Sequence, residues 1–155
     1  DDSRTYGYGK SVWAMIDTKT RQPQNILAIR DGEIERYIEK DKECPIESLS
    51  RVKMGKEAKL ARTIDTYYCD VDVNGHINSI KYIEHILDLF DIDHYRKFRI
   101  RRFDIAYVAE SYCGDKLNFY TEERDDDTVC VRVTKTNAET VDAEVVRCML
   151  KFEKI

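Results

Sequence analysis

The sequence predicts an α+β domain in which one long central helix is wrapped by a curved antiparallel sheet. Three observations predict it. Apolar residues recur at spacings of three and four from Ile77 through Ile80, Ile83, Ile86 and Leu87 to Phe90, which is the period of a helix face. They cover more than half of that helix's circumference, so it needs burial on more than one side. From Phe103 onward the period falls to two, and alternating segments are separated by turn residues.

Ser11-Val-Trp-Ala-Met-Ile-Asp17 reads as a strand, and Thr18-Lys-Thr-Arg-Gln-Pro23 as a polar exit with a proline stop. One strand cannot bury both faces alone. It either joins the sheet of the following domain or closes a sheet lying upstream of residue 1. Residues 1–25 thus look like the end of something, with both placements open. Residues 26–59 are charge-rich and weakly patterned, a linker with short helical turns at Glu33–Asp41 and around Pro45–Leu49. Lys53, Lys56, Lys59 and Arg62 add positive charge ahead of the next strand.

Residues 60–155 carry the main pattern. A strand is expected near residues 60–69, then the polar loop Asp70–His76, then a helix from about Asn78 to Phe90. Asp91–Phe98 reads as a loop with a helical turn. Phe103, Ile105, Tyr107 and Ala109 alternate, Gly114-Asp115 interrupts, and Leu117, Phe119 and Thr121 resume. Asp125-Asp-Asp-Thr128 signals a hairpin before Val129, Val131 and Val133, and Thr136–Glu139 a second turn before a last strand, Val141–Phe152. The alternation changes phase within Ala143–Val146, where a bulge would restore register. One helix embraced by such a sheet is the arrangement called the hotdog fold.

With 155 residues, 42% of them hydrophobic, the chain can bury a core, and ten Tyr and five Phe against two Pro and six Gly favour order. A net charge of −4 argues against nucleic-acid binding. The five cysteines, Cys44, Cys69, Cys113, Cys130 and Cys148, form no C-x-x-C pair, which reads as reduced thiols in a cytosol-like, cytoplasmic setting. No targeting segment is visible, and no run approaches the roughly 18 apolar residues of a membrane span.

The loop before the helix carries the chemistry. Asp72-Val-Asn-Gly-His76 sets a carboxylate, an amide and an imidazole beside the positive end of a helix dipole. Gly75 permits positive φ or close approach of a ligand. Asn74 and the amides of the helix start can donate to a carbonyl becoming an oxyanion. His76 can move protons near neutral pH, and Asp72 can orient the imidazole or a water. These are the parts of acyl-group hydrolysis. A capped turn accounts for Asp, Asn and Gly before a helix equally well.

Three segments resemble the acyl-acyl-carrier-protein thioesterases of plants and bacteria. Asp70-Val-Asp-Val-Asn-Gly-His-Ile-Asn78, with Lys81-Tyr82-Ile83, is similar to that family's D-x-D-x-N-x-H-V-N-N-x-x-Y-I signature. Tyr107-Val-Ala-Glu110 resembles its Y-R-R-E segment, and Ser11–Pro23 the end of its first hotdog domain. The resemblance implies hydrolysis of acyl-acyl-carrier-protein thioesters in fatty acid biosynthesis. Its catalytic set falls on Asp72, Asn74, His76 and Glu110, with Glu110 as the base that activates water. Gly75, Ile77 and Asn78 would line the oxyanion site. No metal or organic cofactor is implied. The partner would be acyl carrier protein, and hotdog proteins commonly form dimers, so a homodimer is expected.

Two departures stand out. Many plant members carry Cys after the Glu, where this chain has Ser111, so direct water attack is favoured. Cys113 lies two residues on and is expected on the sheet face of Ser111. Family members also carry two tandem hotdog domains, whereas this chain reads as the tail of the first and the whole of the second. The basic run Arg96–Arg102, with Arg99, Arg101 and Arg102, is a candidate docking patch for an acidic carrier protein, or a solvated strand flank. His85 reads as a helix-side residue and His94 as a loop residue. Trp13 reads as core or subdomain interface, and the tyrosines Tyr67, Tyr68, Tyr82, Tyr107 and Tyr112 as packing around the helix. Two other functions fit the residues: hydrolysis of acyl-coenzyme A, and a non-catalytic acyl-binding module.

Overall fold

Ser11–Asp17 pairs only at Met15–Ile16 (β1), which meets Pro23–Gln24 (β2) in an antiparallel ladder. Pro23 thus closes the hairpin instead of ending the segment. Its turn is held by Asp17, whose Oδ1 accepts the N–H groups of Lys19 and Thr20 at 2.9 and 2.7 Å. A ladder this short fully buries no side chain. Trp13, expected in a core or interface, is 88% exposed, with its Nε1 donating to Ser11 Oγ.

The computed structural model describes residues 4–39, 41, 43, 45–46, 52–55, 57–124 and 127–155. They fall into two units, residues 1–49 and 50–155. The first unit also holds a 3₁₀ segment, Ile26–Tyr37, capped by the Asn25 side chain and broken where Arg30, Asp31 and Gly32 take positive φ. It buries nothing. Cys44, Lys56, most of the turn expected at Pro45–Leu49, and Asp125-Asp126 of the hairpin lie outside the described residues.

The second unit is built from β3 (Lys59–Asp65), α1 (Ser79–Leu87), α2 (Ile92–Lys97), β4 (Phe98–Tyr107), β5 (Lys116–Arg124), β6 (Thr128–Thr136) and β7 (Ala143–Lys154). The sheet order is β3-β5-β6-β7-β4, antiparallel throughout. This is the hotdog fold, with one helix seated on one sheet. Leu117, Phe119, Val131, Val133, Val146, Cys148 and Leu150 form the inner sheet face, and Ile77, Tyr82 and Ile86 meet them from the helix side.

The helix differs from expectation. It has nine residues and stops at Leu87; Asp88 is its C-cap, and beyond it the Leu89 and Phe90 N–H groups turn to carbonyls three residues back. Leu89 and Phe90 continue the apolar pattern as turns and still pack on the core. Ile80 is 53% exposed, so α1 is covered on one side and not wrapped all round. Asp91 then accepts the N–H of His94 and starts a six-residue helix where a loop with a helical turn was expected. His94 sits on α2 between Phe90, Phe98 and Phe152, stacked on Phe98 at 5.0 Å.

The bulge forms within Ala143–Val146 as the phase change requires: Val133 faces Val146 and Thr134 faces Glu144, leaving Val145 extra. A second register shift leaves Arg101 extra in β4. Of the tyrosines, only Tyr82 is buried. Tyr107 reaches the helix start, donating to the Ser79 carbonyl, but Tyr67 and Tyr68 stand in an exposed turn.

Candidate active site

The loop is fixed at its base by Asp70. This buried residue accepts the Tyr67 N–H on Oδ2 at 2.8 Å, and its carbonyl accepts the Asn78 N–H at 2.8 Å. An isolated bridge between Val71 and Ile77 narrows the loop. The Asp72 N–H donates to the His76 carbonyl at 2.8 Å, which leaves Val73, Asn74 and Gly75 as the tip. Gly75 has φ +82°, a conformation that side chains resist. Asn78 caps α1, its Oδ1 accepting the Ile80 N–H at 3.0 Å.

Asp72 organises the tip from inside. Its Oδ1 accepts the N–H groups of Asn74 at 2.8 Å and His76 at 3.2 Å. The Asn74 N–H above all holds this carboxyl below its ordinary value, with the His76 N–H and imidazole and the Asn74 side chain adding to it against desolvation.

Glu110 arrives from the far edge of the sheet. It lies just past β4, not on it, because the bulge at Val145 turns the chain: the Val145 carbonyl accepts the N–H groups of Val108 and Ala109 at 2.8 and 3.3 Å. The next residue is stitched to the loop, with the Ile77 N–H donating to the Ser111 carbonyl at 2.8 Å and the buried Ser111 hydroxyl bonded to Tyr82 Oη. Glu110 Oε2 thereby comes within 3.5 Å of His76 Nε2, both side chains part-exposed. The site is open to water at the place where its two proton-carrying groups meet.

Three residues not expected at the site shape this meeting. Tyr112 donates from Oη to Glu110 Oε2 at 3.2 Å and sets its ring edge-on to His76. Lys135 on β6 donates to the Glu110 carbonyl at 2.8 Å and lies over the Tyr112 ring. Buried Asp115 accepts the Tyr112 N–H at 2.9 Å and lies 3.9 Å from Lys135 Nζ. Tyr112, expected among the packing tyrosines, is instead at the site. Its place two residues after Glu110, ahead of the Gly114-Asp115 turn, was the available clue.

The geometry also bears on the other expected residues. The amides of Gly75, Ile77 and Asn78 donate to Asp72, Ser111 and Asp70 carbonyls, so none is open to an oxyanion. Cys113 is exposed while Ser111 is buried, because the turn from Tyr112 to Asp115 breaks the alternation that would have aligned them. Arg102 forks onto Asp104 at 2.7 and 3.1 Å, and Arg99 and Arg101 share Glu153 at 2.5 and 3.6 Å. The basic run is thus largely paired within its own sheet. His85 Nε2 lies 3.9 Å from Asp70 Oδ1, facing the base of the loop and not its tip.

With this geometry in view, comparisons place the chain. Residues 53–154 match the family model described as the acyl-ACP thioesterase C-terminal domain. The chain belongs to that family. It is 31% identical over 107 residues to a chloroplastic palmitoyl-acyl carrier protein thioesterase of Arabidopsis thaliana, covering 67% of this chain and 26% of that protein. A solved acyl-ACP thioesterase from Bacteroides thetaiotaomicron is 45% identical with a TM-score of 0.77, covering 89% of this chain and 53% of the other. The 12:0-ACP thioesterase from Umbellularia californica shares the fold at 20% identity and a TM-score of 0.71, covering 90% of this chain and 53% of that one. The chain thus spans about a quarter of the plant relative and about half of each of these solved chains. Among the described residues no helix is long and apolar enough to cross a membrane.

Proposed function

We propose that this chain carries the chemical site of a thioester hydrolase that releases fatty acid from acyl carrier protein. The observation that carries the reading is the approach of His76 and Glu110, from separate segments, to 3.5 Å beside the Asp72-ordered loop tip. Family membership and the printed activities of the relatives support the substrate class.

In this reading a water between substrate and Glu110 loses a proton to the carboxylate as its oxygen bonds to the thioester carbonyl carbon. The Asn74 side chain, held by Asp72, donates to the carbonyl oxygen as it becomes an oxyanion. The oxyanion then collapses, the carbon–sulfur bond breaks, and His76 or protonated Glu110 returns a proton to the leaving thiolate. The products are a free carboxylic acid and the carrier thiol. Burial pushes the thiols of Cys130 and Cys148 up, which leaves both as poor nucleophiles. The exposed pair Arg99 and Arg101 would face the carrier, with Arg102 held back by Asp104. Residues 60–155 would be the C-terminal hotdog domain, and residues 1–25 the end of an upstream one.

The test is steady-state hydrolysis by the full-length protein on one acyl chain presented by acyl carrier protein and by coenzyme A. The reading expects kcat/KM at least tenfold higher on the carrier protein. A preference for the coenzyme A ester would move the substrate class, and binding without turnover on either would make this a non-catalytic acyl-binding module.

A further inference from the structure

The sheet face turned away from α1 holds a cavity of about 410 Å³ lined by Lys53, Met54, Arg132, Glu144 and Arg147. Val131 and Val133 point into the core, so Arg132 between them points to this opposite face. Arg132 and Arg147 stand directly across from one another in the β6–β7 register. Like charges in that relation are destabilising. Arg147 is accounted for by Glu144 and by the Val52 carbonyl at 3.5 Å. Arg132 is not. Its guanidinium lies 4.8 Å from the Tyr120 ring centre, and its buried Nε has no acceptor among the described residues.

A buried guanidinium nitrogen without an acceptor costs free energy that a structure ordinarily avoids. Among the described residues, three cations against one carboxylate leave two positive charges around the cavity. Lys53 and Met54 form its other wall, held down by Arg124 on the Lys53 carbonyl and by Glu122 on the neighbouring Gly55 N–H. The space exceeds that of a bare ion. We infer that this cavity is a binding site for a phosphate-bearing small molecule, with Arg132 as its fork and Lys53 and Arg147 completing the charge. A planar guanidinium matches phosphate oxygens two at a time, and a phosphate dianion balances the two excess charges. The site lies across the sheet from Glu110 and does not depend on the hydrolase reading.

Calorimetric titration of the full-length protein with inorganic phosphate, at constant ionic strength, tests this. One saturable site is expected, with an unfolding midpoint about 4 °C higher at tenfold excess over Kd. Chloride or acetate at equal ionic strength should not reproduce the rise. Arg132→Gln should abolish binding, yet unfold at the same or a higher temperature in phosphate-free buffer, since it removes the facing like charge. Arg132→Lys should bind at least tenfold more weakly. If Arg132→Gln does not fold, exposed Lys53→Ala carries the test and must weaken binding. Equal responses to chloride and phosphate, retained binding in Arg132→Gln or unchanged binding in Lys53→Ala would overturn the proposal. So would equal destabilisation of Arg132→Gln with and without phosphate, which would reduce Arg132 to a stacking partner of Tyr120.

Discussion

Tyr112 touches both proton-carrying groups, with its hydroxyl on Glu110 and its ring edge on His76. A hydrogen bond to a charged group contributes about 1.5–3 kcal/mol when well shielded, and this exposed one belongs at the low end. Tyr112→Phe should therefore lower kcat about tenfold and leave the unfolding midpoint within about 2 °C of the parent. A tenfold loss that came with partial unfolding would show a structural role instead. Asp72 acts at the same scale on the loop. Its folded carboxyl titrates below the ordinary 3.8, chiefly through the Asn74 N–H. A depressed acid stabilises the fold above the unfolded value and loses that contribution as pH falls through the folded one. The stability difference between the parent and Asp72→Asn should thus be flat from pH 5 to 8 and shrink below about pH 4. Denaturant titrations across that range would measure it, and a difference unchanged at pH 3 would contradict the assignment. The residues of the loop tip were readable from local sequence because their spacing is local. The engaged amides of Gly75, Ile77 and Asn78 were not, since the carbonyl that takes Ile77 belongs to Ser111, a partner only the fold supplies.

Helix α1 links the loop to the sheet. Ile86 is fully buried against the inner face, and Asn78 caps the end from which the loop departs. Ile86→Ala should cost about 3 kcal/mol by opening a cavity that the sheet cannot close. Ile80→Ala, on the exposed side, should cost under about 1 kcal/mol. Chemical denaturation of the two variants would show this asymmetry, and equal losses would mean the helix is covered on both sides. The apolar period announced this helix but overran its end. Leu89 and Phe90 keep the spacing while the helical hydrogen bonds stop at Asp88, and periodicity counts side chains, not caps. The same limit hid α2, whose start depends on the Asp91 side chain.

At the scale of the molecule, the strands from β4 to β7 were legible because each alternates apolar and polar residues over the inner face. The bulge at Val145 was legible too, as a change of phase. What the pattern could not show was that this bulge swings Glu110 clear of the sheet and toward His76. The sequence also could not show that Arg132 faces Arg147, since that depends on register. In the outer strand Ser11–Asp17 the pattern promised more sheet than the described unit forms, because a strand's extent depends on its neighbours. The proposed hydrolytic site joins two segments brought together only by the fold, the Asp72–His76 loop and the Glu110 turn. Turnover of an acyl-acyl-carrier-protein substrate by Glu110→Gln in the full-length protein tests it most directly. A fall in kcat of about 10³-fold is expected, within the range of a lost general base, with the fold retained. Near-parental turnover in Glu110→Gln, with activity abolished in Cys113→Ser, would contradict it.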